Sequence, residues 1–342
     1  MMDMTIKAAL QKLIQRENLT HEEMLSLMRQ VMKGDFTPAQ IAGLLIGLRV
    51  KVETVDEIAA AAQVMRELVS QVNVQDSANL VDTCGTGGAA NKAFNVSTCS
   101  AFVAAGAQAR IAKHGNRAAS SKSGSADVLE ALGVNIQLQA EQVARCVNEV
   151  GIGFMFAPNH HSAMKHAGPV RKELGVRTLF NLLGPLTNPA GAKRQVMGVF
   201  HRDLLPLLAH ALHKLGSEHV MIVHSADEMD EISFSGDTYV AELKNGAVRE
   251  YTINPTQFGL PLHEHATISV ENADESKAMV LDVLSGKTGP ARDIVLLNAG
   301  AAIYVAGITA SHQQGITLAA QSIDSGAAML KLEQLKALSN SL

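Results

Sequence analysis

Cysteine is scarce in this chain. Cys84, Cys99 and Cys146 form an odd set without metal-ligand spacing, which fits a reducing, cytoplasmic setting. An excess of positive charge is also missing. The 29 Lys and Arg against 33 Asp and Glu leave a net charge of −4, so no basic field recruits nucleic acid. No apolar run is long and uncharged enough to cross a membrane. The opening MMDMTIKAALQKLIQRENL carries charges every few residues and reads as neither a signal peptide nor a span. Repeats, low-complexity tracts and Pro-rich linkers are absent, and no Gly-Lys-Ser/Thr follows a glycine loop, which excludes a P-loop. What remains is ordinary globular composition, 47% hydrophobic and 18% charged over 342 residues, enough for two domains or one large α/β domain.

The first seventy residues read as helices only. Thr20, Thr37 and Thr54 each stand three residues before Glu23, Gln40 and Glu57, a capping box ahead of an amphipathic run, and Pro38 takes the first helical position. Gly34 is a C-terminal stop. Met24, Leu27, Met28, Val31 and Met32 share one face, which reads as core or subunit contact. No catalytic constellation is visible here.

Beyond residue 74 the period changes. Strands are expected at 79–82, 109–113, 152–157, 195–200 and 219–224, alternating with helices at 97–106, 126–133 and 140–150 and around DLLPLLAHALHKLG. Such alternation predicts right-handed βαβ units around a mainly parallel sheet, an α/β fold. Strands at 238–243 and 248–253 are expected to form a hairpin around Asn245-Gly246. Residues 166–189 read as helical and loop-like, and two long helices are expected to close the chain.

The glycine-dense stretch VDTCGTGGAANKAFNVST follows the first expected strand. Alone it reads as a tight turn. It also matches a relaxed dinucleotide fingerprint, Gly85-x-Gly87-x-x-Ala90, but no helix opens within the glycines and no ribose-binding acid ends the next strand. That strand delivers Lys113-His114-Gly115-Asn116-Arg117 instead, and a hydroxyl-rich loop, Ala118 to Ser125, follows. Two neighbouring strands thus aim amides, hydroxyls and cations at one polyanion, and Ser97 and Thr98 add hydroxyls and helix N-terminal amides.

Three further features bear on chemistry. Asp230 and Glu231, in HSADEMDE at a strand end, are a solvated turn or hard oxygen ligands for Mg²⁺. Arg171 is a surface helix arginine or a planar partner for a carboxylate. His160, His161 and His166 lack helical metal spacing and read as loop residues near a substrate ring.

The ordered set GTGG, NVST, KHGNRAASSKSGSADVLEALGV, VRKELGVRTLFNLLGPLTNPA and DEMDEIS resembles the anthranilate phosphoribosyltransferase family of tryptophan biosynthesis over nearly the whole chain. The resemblance implies a small helical domain, residues 1–72 plus about 166–190, packed on a larger α/β domain, residues 73–165 plus 191–342. It implies a homodimer formed through the helical domain, with Mg²⁺ as cofactor and with phosphoribosyl pyrophosphate (PRPP) and anthranilate as substrates. By the same resemblance Gly85, Gly88, Ala89, Asn95, Val96, Ser97 and Thr98 would hold PRPP. So would Lys113, His114, Gly115, Asn116, Arg117, Ala118, Ala119, Ser120, Ser121 and Ser125. Gly85, Asn116 and Arg171 would touch anthranilate, and Ser97, Asp230 and Glu231 would serve magnesium.

Two departures stand out. Ala89 and Ala90 replace the Asp-Gly that this family carries in the first loop, and Ser225 and Glu228 stand where glycines are usual. In the implied reaction the anthranilate amine attacks the anomeric carbon of PRPP as pyrophosphate leaves. Lys113 and Arg117 would stabilise the leaving charge, and no general base is assigned. Two rivals are a pyrimidine nucleoside phosphorylase, which usually has a lysine and serine ahead of its glycine pair, and a nucleic-acid-binding relative. Arg171, the KHGNR loop and Asp230-Glu231 argue against the second.

Overall fold

The computed structural model describes residues 4–87, 93–118 and 122–342. Gly88, Ala89, Ala90, Ala119, Ser120 and Ser121 therefore lie outside the described residues.

Four helices open the chain: α1 (Ile6–Ile14), α2 (His21–Lys33), α3 (Pro38–Lys51) and α4 (Val55–Leu68). The three capping boxes form as the sequence predicts. Each threonine hydroxyl accepts from the backbone N–H three residues on, and Glu23, Gln40 and Glu57 accept the cap residues' own N–H groups. Gly34 ends α2 in the left-handed conformation. The methionine-rich face of α2 is buried from Met24 to Met32.

The α/β part runs β1 (Leu80–Gly85), α5 (Val96–Gly106), β2 (Arg110–Gly115), α6 (Ser125–Ala131), α7 (Ala140–Val150) and β3 (Ile152–Phe156). Three short helices follow: α8 (Ala157–His160), α9 (Gly168–Leu174) and α10 (Phe180–Leu183). The chain then returns to the sheet through β4 (Arg194–Gly198), α11 (Leu204–Lys214), β5 (His219–Ser225), β6 (Thr238–Lys244) and β7 (Ala247–Ile253). The strand order is β3-β2-β1-β4-β5-β6-β7. β3 through β5 are parallel in that order, while β6 and β7 pair antiparallel. Asn245 and Gly246 close the hairpin with φ of 52° and 74°, the left-handed pair such a two-residue turn needs.

One expectation needs correction. Four helices, not two, close the chain: α12 (Ala273–Leu284), α13 (Pro290–Val305), α14 (His312–Asp324) and α15 (Ala327–Ser341). Gly286, Gly307 and Gly326 take positive φ at the junctions, and their spacing marks the breaks. The helix α13 is apolar almost all round because it is buried almost all round, so it offers no amphipathic stripe by which its ends could be read.

Two hydrophobic clusters form the core. One joins α5, α7, α13, α14 and α15 to one face of the sheet. The other joins α2, α3 and α4 to Val170, Leu179, Phe180 and α11, and continues onto the opposite sheet face through Met197, Val220 and Ile222. The opening helices are thus cemented to the sheet through α11. β1 is flanked by β2 on one side and β4 on the other, so the order of connection reverses beside it. In such sheets ligands bind outside the carboxyl ends of the strands at that reversal.

Candidate active site

The carboxyl ends of β1 and β4 meet at Gly85 and Gly198, which are register partners. The turn after β5 folds back over them. A Cβ on Gly198 would lie 1.6 Å from the Asp230 carbonyl oxygen, so only glycine admits this turn. A Cβ on Gly85 would lie 3.3 Å from Asp230 Oδ2, which places that carboxylate directly over the end of β1.

From the other side comes the N-terminus of α5. Asn95 stands at its N-cap but does not cap it. Its Oδ1 accepts from Ser123 Oγ (2.8 Å) and Ser276 Oγ (2.7 Å), and its Nδ2 donates to the Ser123 carbonyl (3.1 Å). The Ser97 backbone N–H faces the Glu231 carboxylate and favours its ionised form. Lys113, 3% exposed near the end of β2, donates through Nζ to the Thr83 carbonyl and to Ser97 Oγ (3.3 Å). Gly85, Ser97, Lys113, Asp230 and Glu231 therefore converge on one spot.

The electrostatics of this spot are unbalanced. Burial, and then the Asp230 carboxylate beside it, push Glu231 up to about 8, although Lys113 and the Ser97 amide pull the other way. Burial also raises Asp230. Lys113 is lowered by burial, against the pull of Asp82 and Glu231.

The second loop is held differently. Asp127, in the first turn of α6, accepts from the Ala118 and Gly124 amides with one oxygen (both 2.9 Å). Its other oxygen accepts from Arg117 (3.0 Å). The Arg117 guanidinium also pairs with Glu130 at 2.8 Å. So Arg117, expected to face a leaving group, is turned toward two carboxylates on α6. Asn116 Oδ1 accepts from the Arg117 amide, and Ser125 Oγ donates to the Asn116 carbonyl. Val96 and Thr98 are buried, and the Thr98 hydroxyl has no partner among the described residues.

His114 is pinned beneath the loop. Its backbone N–H donates to Asp82 Oδ1 (3.1 Å). Its Nδ1 donates to the Gly184 carbonyl (3.2 Å), which leaves Nε2 to accept from His161 Nε2 (3.2 Å). Burial, reinforced by His161, lowers His114 to about 3, and burial lowers His161 to about 4, so both rings stay neutral near pH 7. Arg171 on α9 lies with its guanidinium 5.4 Å from the Phe180 ring centroid, half-buried and paired with no carboxylate among the described residues. No hydrogen bond among the described residues joins it to Gly85 or Asn116.

Several supporting residues were missed in the sequence. Asp82, inside an apolar strand, accepts from His114, Asn188 and Cys84. Asn188 also donates to the Ala112 carbonyl, tying β1 to β2. An acid within a buried strand was the one available signal for Asp82.

Residues 77–329 match the family described as "Glycosyl transferase family, a/b domain", and residues 7–69 match its helical bundle domain. The chain is 75% identical to the anthranilate phosphoribosyltransferase of Methylobacillus flagellatus, over 99% of each chain. The crystal structure of the Thermus thermophilus anthranilate phosphoribosyltransferase superposes with a TM-score of 0.92 at 43% identity, covering 97% of this chain and 99% of that one. The Saccharomyces cerevisiae enzyme, in complex with PRPP and Mg, superposes with a TM-score of 0.87 at 29% identity over 98% of each chain. With full-length identity of this order, and with glycines and two acids meeting at the sheet's reversal point, the chain belongs to the anthranilate phosphoribosyltransferase family.

Proposed function

We propose that the cleft over β1, β2, β4 and β5 is where this chain transfers the phosphoribosyl group of PRPP to the amine of anthranilate, giving N-(5-phosphoribosyl)anthranilate and pyrophosphate. The observation that carries the reading is the convergence of Gly85, Ser97, Lys113, Asp230 and Glu231 on one spot. The bond from C1 of the ribose to the pyrophosphate oxygen breaks, a C1–N bond forms, and the amine's proton goes to solvent. Positive charge builds on the ribose and negative charge on the leaving group.

The acid pair fits a divalent cation. The donors are hard oxygens, Ser97 Oγ and two carboxylates, and burial plus mutual repulsion disfavour the pair's full ionisation in a way that a nearby cation relieves. Ser97, Asp230 and Glu231 would hold Mg²⁺. Bound there, Mg²⁺ would offset the charge gathering on pyrophosphate. Lys113 adds a fixed cation at the cleft floor, which costs no reorganisation during reaction. Arg117 joins it by exchanging Asp127 and Glu130 for phosphate oxygens, and exposed pairs of this kind are weak.

The remaining PRPP contacts fall to Gly85, Gly88, Ala89, the 95–98 segment, the 113–121 loop and Ser125. Gly85, Asn116 and Arg171 take anthranilate, with the Arg171 guanidinium on its carboxylate. Residues 1–72 with 166–190 act as one domain and the rest as the other. A homodimer forms through the helical domain, where Ile14 of α1 and Val50 of α3 are 81% and 65% exposed. A cytoplasmic location accords with three free cysteines.

The test mixes purified protein with Mg²⁺, PRPP and anthranilate and follows the loss of anthranilate fluorescence. Replacing Asp230 by Asn and Glu231 by Gln together should lower turnover about a hundredfold or more while the fold survives. Wild-type rates in that variant across a magnesium titration would reduce the acid pair to a surface turn. No loss of anthranilate, with nucleoside phosphorolysis instead, would overturn the reading itself.

A further inference from the structure

Asn298 lies at the middle of α13, 3% exposed, on a helix that contributes no other residue to the cleft as described above. Its side-chain amide pairs with both polar groups of one backbone residue. Oδ1 accepts from the Ile232 N–H at 2.9 Å, and Nδ2 donates to the Ile232 carbonyl at 2.9 Å. Nδ2 also donates to the Ile294 carbonyl at 2.9 Å, which fixes the amide's orientation from within the helix. The side chain thus acts as a short length of strand laid against Ile232, the residue immediately after Glu231.

The peptide between Glu231 and Ile232 is held from both sides. Its N–H goes to Asn298, and its carbonyl accepts from Ser225 Oγ at 2.6 Å. One residue further on, the Ser233 N–H donates to Thr238 Oγ1 at 3.0 Å. A turn that must keep two carboxylates side by side in a half-buried place works against their repulsion, and each of these bonds resists the turn swinging outward. Among the described side chains that do so, Asn298 alone reaches Ile232 from a separate helix and holds both of its polar groups.

We propose that Asn298 is a positioning residue: by clamping Ile232 it sets the direction in which Asp230 and Glu231 face the cleft, and so sets the affinity of the site for a divalent cation. This rests on the reading of Asp230 and Glu231 as the cation's carboxylates. Outer partners of metal-binding groups typically govern affinity by about 10- to 100-fold when removed, which is the size of effect expected here.

The experiment measures Mn²⁺ binding to the full chain by the electron paramagnetic resonance signal of the free ion, with steady-state kinetics alongside. Asn298→Ala should weaken Mn²⁺ binding about tenfold or more. It should also raise KM for PRPP at fixed magnesium, with KM for anthranilate changing less than about twofold. Ser322→Ala removes a buried hydrogen bond of α14, to the Val103 carbonyl, away from the cleft and should leave Mn²⁺ binding unchanged. Should the alanine variant not fold, Asn298→Asp keeps the volume and the acceptor for the Ile232 N–H but sets an oxygen against the Ile232 carbonyl. It should weaken Mn²⁺ binding at least about threefold, the loss of one of the two clamping bonds. A wild-type Kd in whichever Asn298 variant folds, or an equal loss in Ser322→Ala, overturns the proposal. The double Asn/Gln variant at 230 and 231 separates the two levels. If it loses Mn²⁺ while Asn298→Ala does not, the positioning role alone fails. If it retains Mn²⁺, the reading of the acid pair fails.

Discussion

Two carboxylates, one in the helical part and one in the cleft, are treated in opposite ways. Glu57 on α4 is fully buried and saturated. It accepts from the backbone of Leu19 (2.9 Å) and Thr54 (2.8 Å) and from Lys51 Nζ (2.9 Å), and Lys51 is itself only 2% exposed. Glu231 has one backbone amide, a lysine already engaged elsewhere, and a second acid as its neighbour. A charge whose partners are all internal holds structure together and has nothing left to offer a ligand. A carboxyl left short of partners is costly to ionise, and a cation, in the role proposed for this site, would recover that cost. The same chain builds both by surrounding one acid with donors and the other with a like charge.

The largest expected effect breaks the saturated member. Glu57→Leu leaves the Lys51 charge buried without its partner and should cost about 3–5 kcal/mol of stability. Glu231→Gln, measured without Mg²⁺, should leave the unfolding midpoint unchanged or raise it, because it relieves repulsion. Urea unfolding of both variants decides the matter, and equal losses would erase the contrast.

Arg171 sharpens the comparison as the cation side's counterpart, half-buried and paired with no carboxylate among the described residues where Lys51 is fully paired. Arg171→Ala should raise KM for anthranilate about ten- to a hundredfold, roughly 1.5–3 kcal/mol, and move KM for PRPP far less. Parallel changes in both constants would remove Arg171 from the anthranilate site.

The last effect, the smallest for any single pH step, extends the contrast to a buried base. His312 donates Nε2–H to the Leu297 carbonyl (2.8 Å) beside Phe258, and burial lowers it from 6.5 to about 4. Its folded pKa lies below its unfolded one, so the unfolded chain takes up the proton first. The stability is intact above about pH 6.5 and falls as pH drops toward 4, by up to about 1.4 kcal/mol per pH unit. His312→Gln should flatten that limb of a stability-against-pH curve. An unchanged slope would mean that other groups carry it.

Much of this was legible in the sequence. The capping boxes, the Asn245-Gly246 hairpin and the βα alternation are local codes, written within a few residues of where they act. The acid pair and the KHGNR loop stood out in the sequence because their residue types are costly to place anywhere without a reason. Asp82, Asn188 and Asn298 were not, because each is a single polar residue in an apolar setting whose partners lie 32, 76 and 66 residues away. The orientation of Arg117 toward Asp127 and Glu130 was equally hidden, since both acids lie on the helix that the loop leads into.

The sequence by itself determined the helical start, the strand-and-helix alternation and the inventory of chemical groups, because hydrophobic periodicity and capping act over one or two turns of chain. Only the tertiary structure decided which of those groups share a site. Gly198 must lack a side chain so that the turn carrying Asp230 can close over Gly85, and the start of α5 must bring Ser97 beside Glu231. Both conditions depend on strands that are distant in the chain and adjacent in the sheet, where steric exclusion and burial act on neighbours in space.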